Sequence, residues 1–151
     1  MMRWIVLIGV VVCLASSAQA QNASKVAEEF SNKWISAYNS DNPNGVAALF
    51  TADGIWSPAT AELFKGRESI AKTLAARIKL GFTKQTQEPT EAHQVGNVIW
   101  ALGEYTVFGS GESTGKRYAG RYGEVIVRDN TGNWHIAMIT GNGGMKPLRQ
   151  P

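Results

Sequence analysis

Cysteine is almost missing from this chain: Cys13 is the single one in 151 residues, and there are only two histidines, His93 and His135. One thiol excludes a disulfide framework within the chain. No CxxC pair, no HExxH helix and no carboxylate cluster at metal spacing is present, so no metal and no cofactor are expected. A surplus of one charge is also lacking. Lys+Arg number 15 against 12 Asp+Glu, with no basic run that would make a nucleic-acid surface. No apolar stretch reaches the roughly 20 residues that a membrane-crossing helix needs. Internal repeats and low-complexity segments are absent too.

The longest apolar run opens the chain and reads as a cleavable secretory leader. Arg3 supplies the positive end, and Ile5 to Leu14 form an apolar run of about ten residues, within the roughly 7–15 such a leader uses. Ala18-Gln19-Ala20 is a small-x-small cleavage pattern, so residues 1–20 are expected to be removed after Ala20. Cys13 lies inside the run without a leucine three residues before it, which argues against a lipid anchor. The mature chain is then cysteine-free and nearly neutral, held by packing alone, periplasmic or secreted, and off the membrane. Residues 21–142 are expected to form one domain, with 143–151 a flexible tail. The Gly- and Pro-rich segment from Gly141 onward is expected to be loose.

Helical signals come first. Val26, Phe30, Trp34 and Tyr38 recur every four residues between Asn22 and Ser40, with Ala27 and Ala37 beside them. Pro43 opens a short second helix capped by Asp41 or Asn42, with Val46, Ala47, Leu49 and Phe50 apolar. Asp53-Gly54 reads as a turn and Ile55-Trp56 as the start of a short strand that Pro58 closes. Ile70, Leu74 and Ile78 stripe a third helix from Arg67 to Leu80, which Gly81 ends. The period then changes to two. Residues 83–95, 98–108, 116–128 and 134–140 read as four sequential strands joined by turn-forming segments. Helices first and sequential antiparallel strands after make an α+β domain.

The segment W34-I-S-A-Y-N-S-D-N-P-N-G-V-A-A-L-F-T-A-D-G-I-W56 resembles the opening of nuclear transport factor 2-like domains. F64-K-G-R-E-S-I70 and G132-N-W-H-I-A-M138 continue the resemblance across nearly the whole mature chain. It implies a cone-shaped fold, with three N-terminal helices packed on a curved antiparallel sheet around a pocket open at one end. The family includes ketosteroid isomerases, SnoaL-like cyclases, dehydratases and epoxide hydrolases, and many members form homodimers through the outer face of the sheet. The closest likeness is to small exported members without an assigned activity.

Strand alternation proposes the side chains that share the pocket. Pairing the last two strands through the Asp129–Gly132 turn sets Ile126 opposite His135 and Glu124 opposite Ala137. Tyr122, Glu124, Ile126, His135, Ala137 and Ile139 then share one face, as do Trp100, Leu102, Glu104 and Thr106. The resemblance places these faces inside the cone, with Glu124 at the position where the isomerases keep a protonated acid. Glu124, His135, Glu104 and Tyr122 are therefore the candidate acid/base group. Trp34, Trp56, Phe64, Trp100, Leu102, Ile126 and Ile139 are the candidate ligand walls. A carboxylic acid in such a pocket has a raised pKa and can donate or accept a proton near neutral pH. A slip of one residue in register would turn the whole set outward.

Other readings stand beside this one. Glu124 and Glu104 in solvent would pair with Arg121, Arg117 or Arg128. His135 beside Trp134 reads equally as a structural histidine, and Tyr105, Tyr118 and Tyr122 as part of a dimer face. Arg67 reads as a local partner of the helix start. Two of the three isomerase positions differ, since Ser57-Pro58 stands for the catalytic aspartate and Trp34 for the tyrosine. Ketosteroid isomerase activity is therefore not expected. The expected function is an exported pocket protein for a small, largely apolar organic molecule, with cofactor-free isomerase, lyase or hydrolase chemistry if it is an enzyme. The alternative is a non-catalytic dimerisation or protein-interaction module.

Overall fold

The computed structural model describes residues 5–60 and 62–146, with side chains from Gln21 to Gly144 apart from Ala61. The expected leader and its cleavage site lie outside the residues with described side chains. Among the described residues no helix is long and apolar enough to cross a membrane.

The first helix, α1 (Ile5–Asn39), buries the four-residue stripe seen in the sequence: Val26, Phe30, Trp34 and Tyr38 all lie in the core. Its polar neighbours tie it to one strand, β3 (Phe82–Val95). The Ser31 hydroxyl donates to the Gln87 carbonyl at 2.9 Å, and the Tyr38 hydroxyl donates to the Phe82 carbonyl at 2.7 Å. Asn39 spans both backbone groups of Gln85, donating to its carbonyl at 3.0 Å and accepting from its N–H at 2.7 Å. The helix therefore lies across the sheet at a fixed height.

Asp41 turns the chain with a positive φ of 54°, and Asn42 caps α2 (Pro43–Ala48) by accepting from the Gly45 N–H at 2.8 Å. This is the second of the two expected caps. Strand β1 (Phe50–Ser57) starts earlier than the sequence suggests and runs through Asp53-Gly54, where an irregularity between Phe50 and Ile55 absorbs the turn-forming pair. A short β2 (Phe64–Lys65) leads to α3 (Arg67–Lys79). The Arg67 guanidinium donates to the Phe50 carbonyl, at 2.8 Å from Nε, and so locks the helix start onto β1. That local role is the one expected for Arg67.

Three long strands complete the sheet: β4 (Val98–Gly109), β5 (Arg117–Arg128) and β6 (Trp134–Lys146). The order is β2-β1-β6-β5-β4-β3. All neighbours are antiparallel except β1 and β6, which run parallel, so the sheet is mixed rather than wholly antiparallel. Strand β6 also extends past Thr140, pairing Gly141 to Lys146 with β5. Glycines permit this extension. A Cβ on Gly120 would stand 1.8 Å from the Asn142 carbonyl oxygen, so two glycine-rich strands approach where side chains would hold them apart.

The closed end of the cone is filled by Val46, Phe50, Ile70, Leu74, Ile99, Ile126 and Ile136, all fully buried. Gly103 of β4 makes room for the Tyr122 ring. A Cβ there would lie 2.4 Å from both the Tyr122 ring and the Glu88 carbonyl oxygen. Gly103→Ala should therefore lower stability by about 1–3 kcal/mol by overpacking. Chemical denaturation of the two proteins checks this, and equal midpoints would show that the sheet can relax at this point.

Candidate functional site

Above the packed end the sheet and helices enclose a cavity of about 390 Å³. Its walls are aromatic: Trp34 and Tyr38 from α1, Trp56 from β1, Phe64 from β2, Phe82 from β3, and Tyr105, Tyr118 and Tyr122 from β4 and β5. Ile139 of β6 also lines it. Trp34 stands edge-on to Trp56 at 6.4 Å between centroids, and Trp56 lies 5.6 Å from Phe64. The two tryptophans are thus both core and wall. Of the expected ligand walls, Trp34, Trp56, Phe64 and Ile139 are brought together. Ile126 is fully buried one step deeper, in the closed end.

Inward positions on β5 run Tyr118, Gly120, Tyr122, Glu124 and Ile126 from the cavity toward that closed end. Glu124 lies opposite Ala101 on one side and Ile139 on the other, is 3% exposed, and its Oε1 has no hydrogen-bond partner among the described residues. Burial without compensation pushes its carboxyl up to about 8. The Tyr122 hydroxyl is likewise buried and unpartnered. Burial first, and then the neighbouring Glu124, push it far above the usual phenol range, with Gln87 and Ser31 near enough to oppose the shift but outside hydrogen-bond geometry. Gln87 Oε1 is a third buried atom without a partner. Gln85 beside it is engaged, accepting from the Trp34 indole N–H at 3.1 Å.

Four expected site residues point the other way. The β5–β6 register is regular from Arg128↔Trp134 to Ile126↔Ile136 and then slips, with Val125 opposite Met138 and Glu124 opposite Ile139. Ala137 is the extra residue of this bulge. The bulge lets both Ile136 and Ile139 face inward, while His135 is already turned out before it, because the turn pairs Ile126 with Ile136 rather than with His135 and sets His135 opposite Val127. There His135 Nε2 meets Asp129 at 3.0 Å. The Asp129 carboxyl also accepts from the Thr131 hydroxyl and the Asn133 N–H, contacts that hold it well below the usual carboxylate range. His135 is a strand-end structural histidine.

On β4 the parity is opposite to the expected one. Ala101 faces Glu124 across the ladder, so Ile99, Ala101, Gly103 and Tyr105 point inward while Trp100, Leu102 and Glu104 lie on the convex face. Trp100 stacks on His93 with centroids 4.4 Å apart. Glu104 meets Arg121 at 3.7 Å, in the solvent-exposed pairing that was the alternative for it. The inside of a bent sheet holds small residues under the helix, which is why the bulky alternation on this strand faces outward.

The sequence reading did not select Tyr38, Phe82, Gln85, Gln87 or Arg77 for the cavity, and it considered Tyr105 and Tyr118 only as an alternative, on a dimer face. One signal for Arg77 was present: it follows Ile70 and Leu74 by seven and three residues, on the apolar stripe of α3. Among the described residues no group of three or more His, Cys, Asp or Glu side chains is placed to hold a metal.

A model of the SnoaL-like domain matches residues 32–135. The fold is similar to that of a ketosteroid isomerase-like protein from Erwinia carotovora atroseptica, at 16% identity and TM-score 0.70 over 85% of this chain and 97% of that one. It is also similar to a nuclear transport factor 2-like superfamily protein from Salmonella enterica, at 16% identity and TM-score 0.69 over 87% and 98%. A conserved protein from Planctomyces limnophilus aligns at 15% identity and TM-score 0.69 over 81% and 94%. At these identities the likeness shows the fold alone. No curated protein matches the chain.

Proposed function

The chain belongs to the SnoaL-like domain family, and from the cavity it builds on that fold we propose that it binds a small, largely apolar organic molecule there. The observation that carries this reading is a cavity with aromatic walls, where a few polar side chains, Gln85, Gln87 and Tyr122, converge. A volume of about 390 Å³ is at the small end of ligand sites, which run from about 300 to 1,000 Å³. The Tyr122 hydroxyl and Gln87 Oε1 are buried at the cavity's floor without a partner among the described residues. A small side-chain shift on binding would let a ligand hydroxyl accept from Tyr122 and donate to Gln87 Oε1. If chemistry follows binding, Tyr122 and the protonated Glu124 behind it are the groups to carry it, without a cofactor. Export to the periplasm or beyond, by removal of the leader after Ala20, belongs to the same proposal.

A thermal-shift screen of small phenols, ketones and aromatic amides tests the binding, since a true ligand raises the melting temperature by mass action. Gly141→Leu is the matched control. A Cβ at Gly141 meets the Tyr105 ring at 3.5 Å, an ordinary contact, so a leucine there starts without a clash from the cavity wall. Ligands should shift the wild type and leave this variant unmoved. Equal shifts in both proteins would remove the cavity as the site.

One observation favours a second role for the convex face. Val98, Trp100, Leu102, Phe108 and Met138 are 40%, 39%, 46%, 37% and 38% exposed. On this reading the face pairs two copies as a homodimer. Leu102→Arg should then yield a monomer in sedimentation equilibrium, while a wild type already monomeric at high concentration would dismiss the dimer.

A further inference from the structure

Among the described residues the cavity is lined by one cation, Arg77, that makes no hydrogen bond or ion pair. Arg77, from the last turn of α3, lines the cavity with its guanidinium carbon 5.3 Å from the centroid of the Trp56 ring. Of the other described arginines, Arg67 and Arg128 donate to the carbonyls of Phe50 and Gly132, Arg121 meets Glu104 in solvent, and Arg117, which does not line the cavity, has a buried Nε without a partner. Arg77 has no such partner among the described residues. It is half-buried, and its charge is felt by the Tyr38 and Tyr105 hydroxyls, where it opposes the upward push of burial. The acidic side chain lining the same cavity is Glu62, which is exposed and forms no ion pair with Arg77.

The geometry points to a ligand with a carboxylate head received by Arg77 and an aromatic or alicyclic body lying between the tryptophans and tyrosines. This rests on the cavity being a binding site, and it adds the chemical class. A guanidinium presents two parallel N–H donors that match the two oxygens of a carboxylate. Stacking on Trp56 holds that fork in place and leaves its donor edge free. One arginine balances one negative charge, so a singly charged acid fits better than a doubly charged phosphate ester. The same charge opposes a cationic ligand, which an aromatic cage alone would welcome.

The test compares naphthoate, naphthamide and a naphthyl trimethylammonium salt by isothermal titration at neutral pH, on the wild type, Arg77→Met and Arg77→Lys. Naphthoate should bind the wild type about tenfold or more tighter than the amide, as a charged hydrogen bond predicts. The ammonium should be the weakest. Arg77→Met should erase the preference for acid over amide while leaving the amide within about twofold, and Arg77→Lys should keep part of it by charge alone. An acid preference that survives Arg77→Met, or an amide that binds the wild type as well as the acid, overturns the carboxylate assignment and spares the cavity. Failure of all three probes to bind overturns both. Should Arg77→Met unfold, Arg77→Gln carries the same comparison.

Discussion

Replacing Glu124 with glutamine should stabilise the protein by about 4–5 kcal/mol at a pH of about 9 and change little at a pH of about 4. The native carboxyl titrates near 8 against an ordinary value of 4.5, because burial disfavours its charge and no donor compensates it. Between those two values the folded state keeps a proton that the unfolded chain has released. Stability therefore falls as pH rises through this window and is flat on either side of it. The magnitude follows from about 1.4 kcal/mol per pH unit across the window and is an upper bound, since water entry or local relaxation would reduce it. Glutamine has no charge to bury, so its curve should lack the slope. Urea denaturation across this pH range reads the difference directly. Parallel curves for the two proteins would mean that Glu124 finds water or a partner in solution.

The same titration bears on chemistry. Near neutral pH Glu124 is an acid, not a carboxylate, and lies one inward position behind Tyr122 along β5. Glu124 does not line the cavity and makes no hydrogen bond to Tyr122, so donation from it to a bound oxygen requires its side chain to shift, and such donation would decline as pH rises past about 8. A rate that instead rises through that value would assign Glu124 as a base.

The helices were legible because their apolar stripes have a period that burial enforces, and Val26, Phe30, Trp34 and Tyr38 all went to the core. Tyr122 and Ile139, picked out by strand alternation together with the resemblance, line the cavity with Trp56 and Phe64 from β1 and β2 and Trp34 from α1, while Glu124 is buried one inward position behind Tyr122. His135 was not legible, because the turn sets Ile126 opposite Ile136, one residue on from the pairing read through Asp129–Gly132, and the bulge at Ala137 then lets Ile139 face inward all the same. Trp100, Leu102 and Glu104 fall on the convex face because alternation groups side chains by face without saying which face is inside, and the resemblance assigned this strand the wrong one. Under α1 the sheet admits only Ala101 and Gly103 at those positions, and the large side chains fall on the convex face. Gln85 and Gln87 went unnoticed since polar residues in a strand usually mark its wet side. Here they alternate with exposed Lys84, Thr86 and Glu88, which is the pattern of a polar inner face.

Trp34 divides structure from site most sharply, because it serves both. Its ring packs 5.9 Å from Phe50 on the core side and 6.4 Å from Trp56 on the cavity side, while its N–H satisfies Gln85. Trp34→Ala should lower stability by about 3–5 kcal/mol through lost burial and the space left behind. Trp34→Phe keeps most of the bulk but orphans Gln85 Oε1, and should lower it by about 1–3 kcal/mol. The alanine variant also enlarges the cavity, so a three-ring aromatic acid excluded from the wild type should now bind and restore part of the lost stability. Chemical denaturation with and without that acid measures both effects. If alanine and phenylalanine lose the same amount, and the larger acid rescues neither, then Trp34 acts through its N–H alone and the cavity does not widen when its ring is removed.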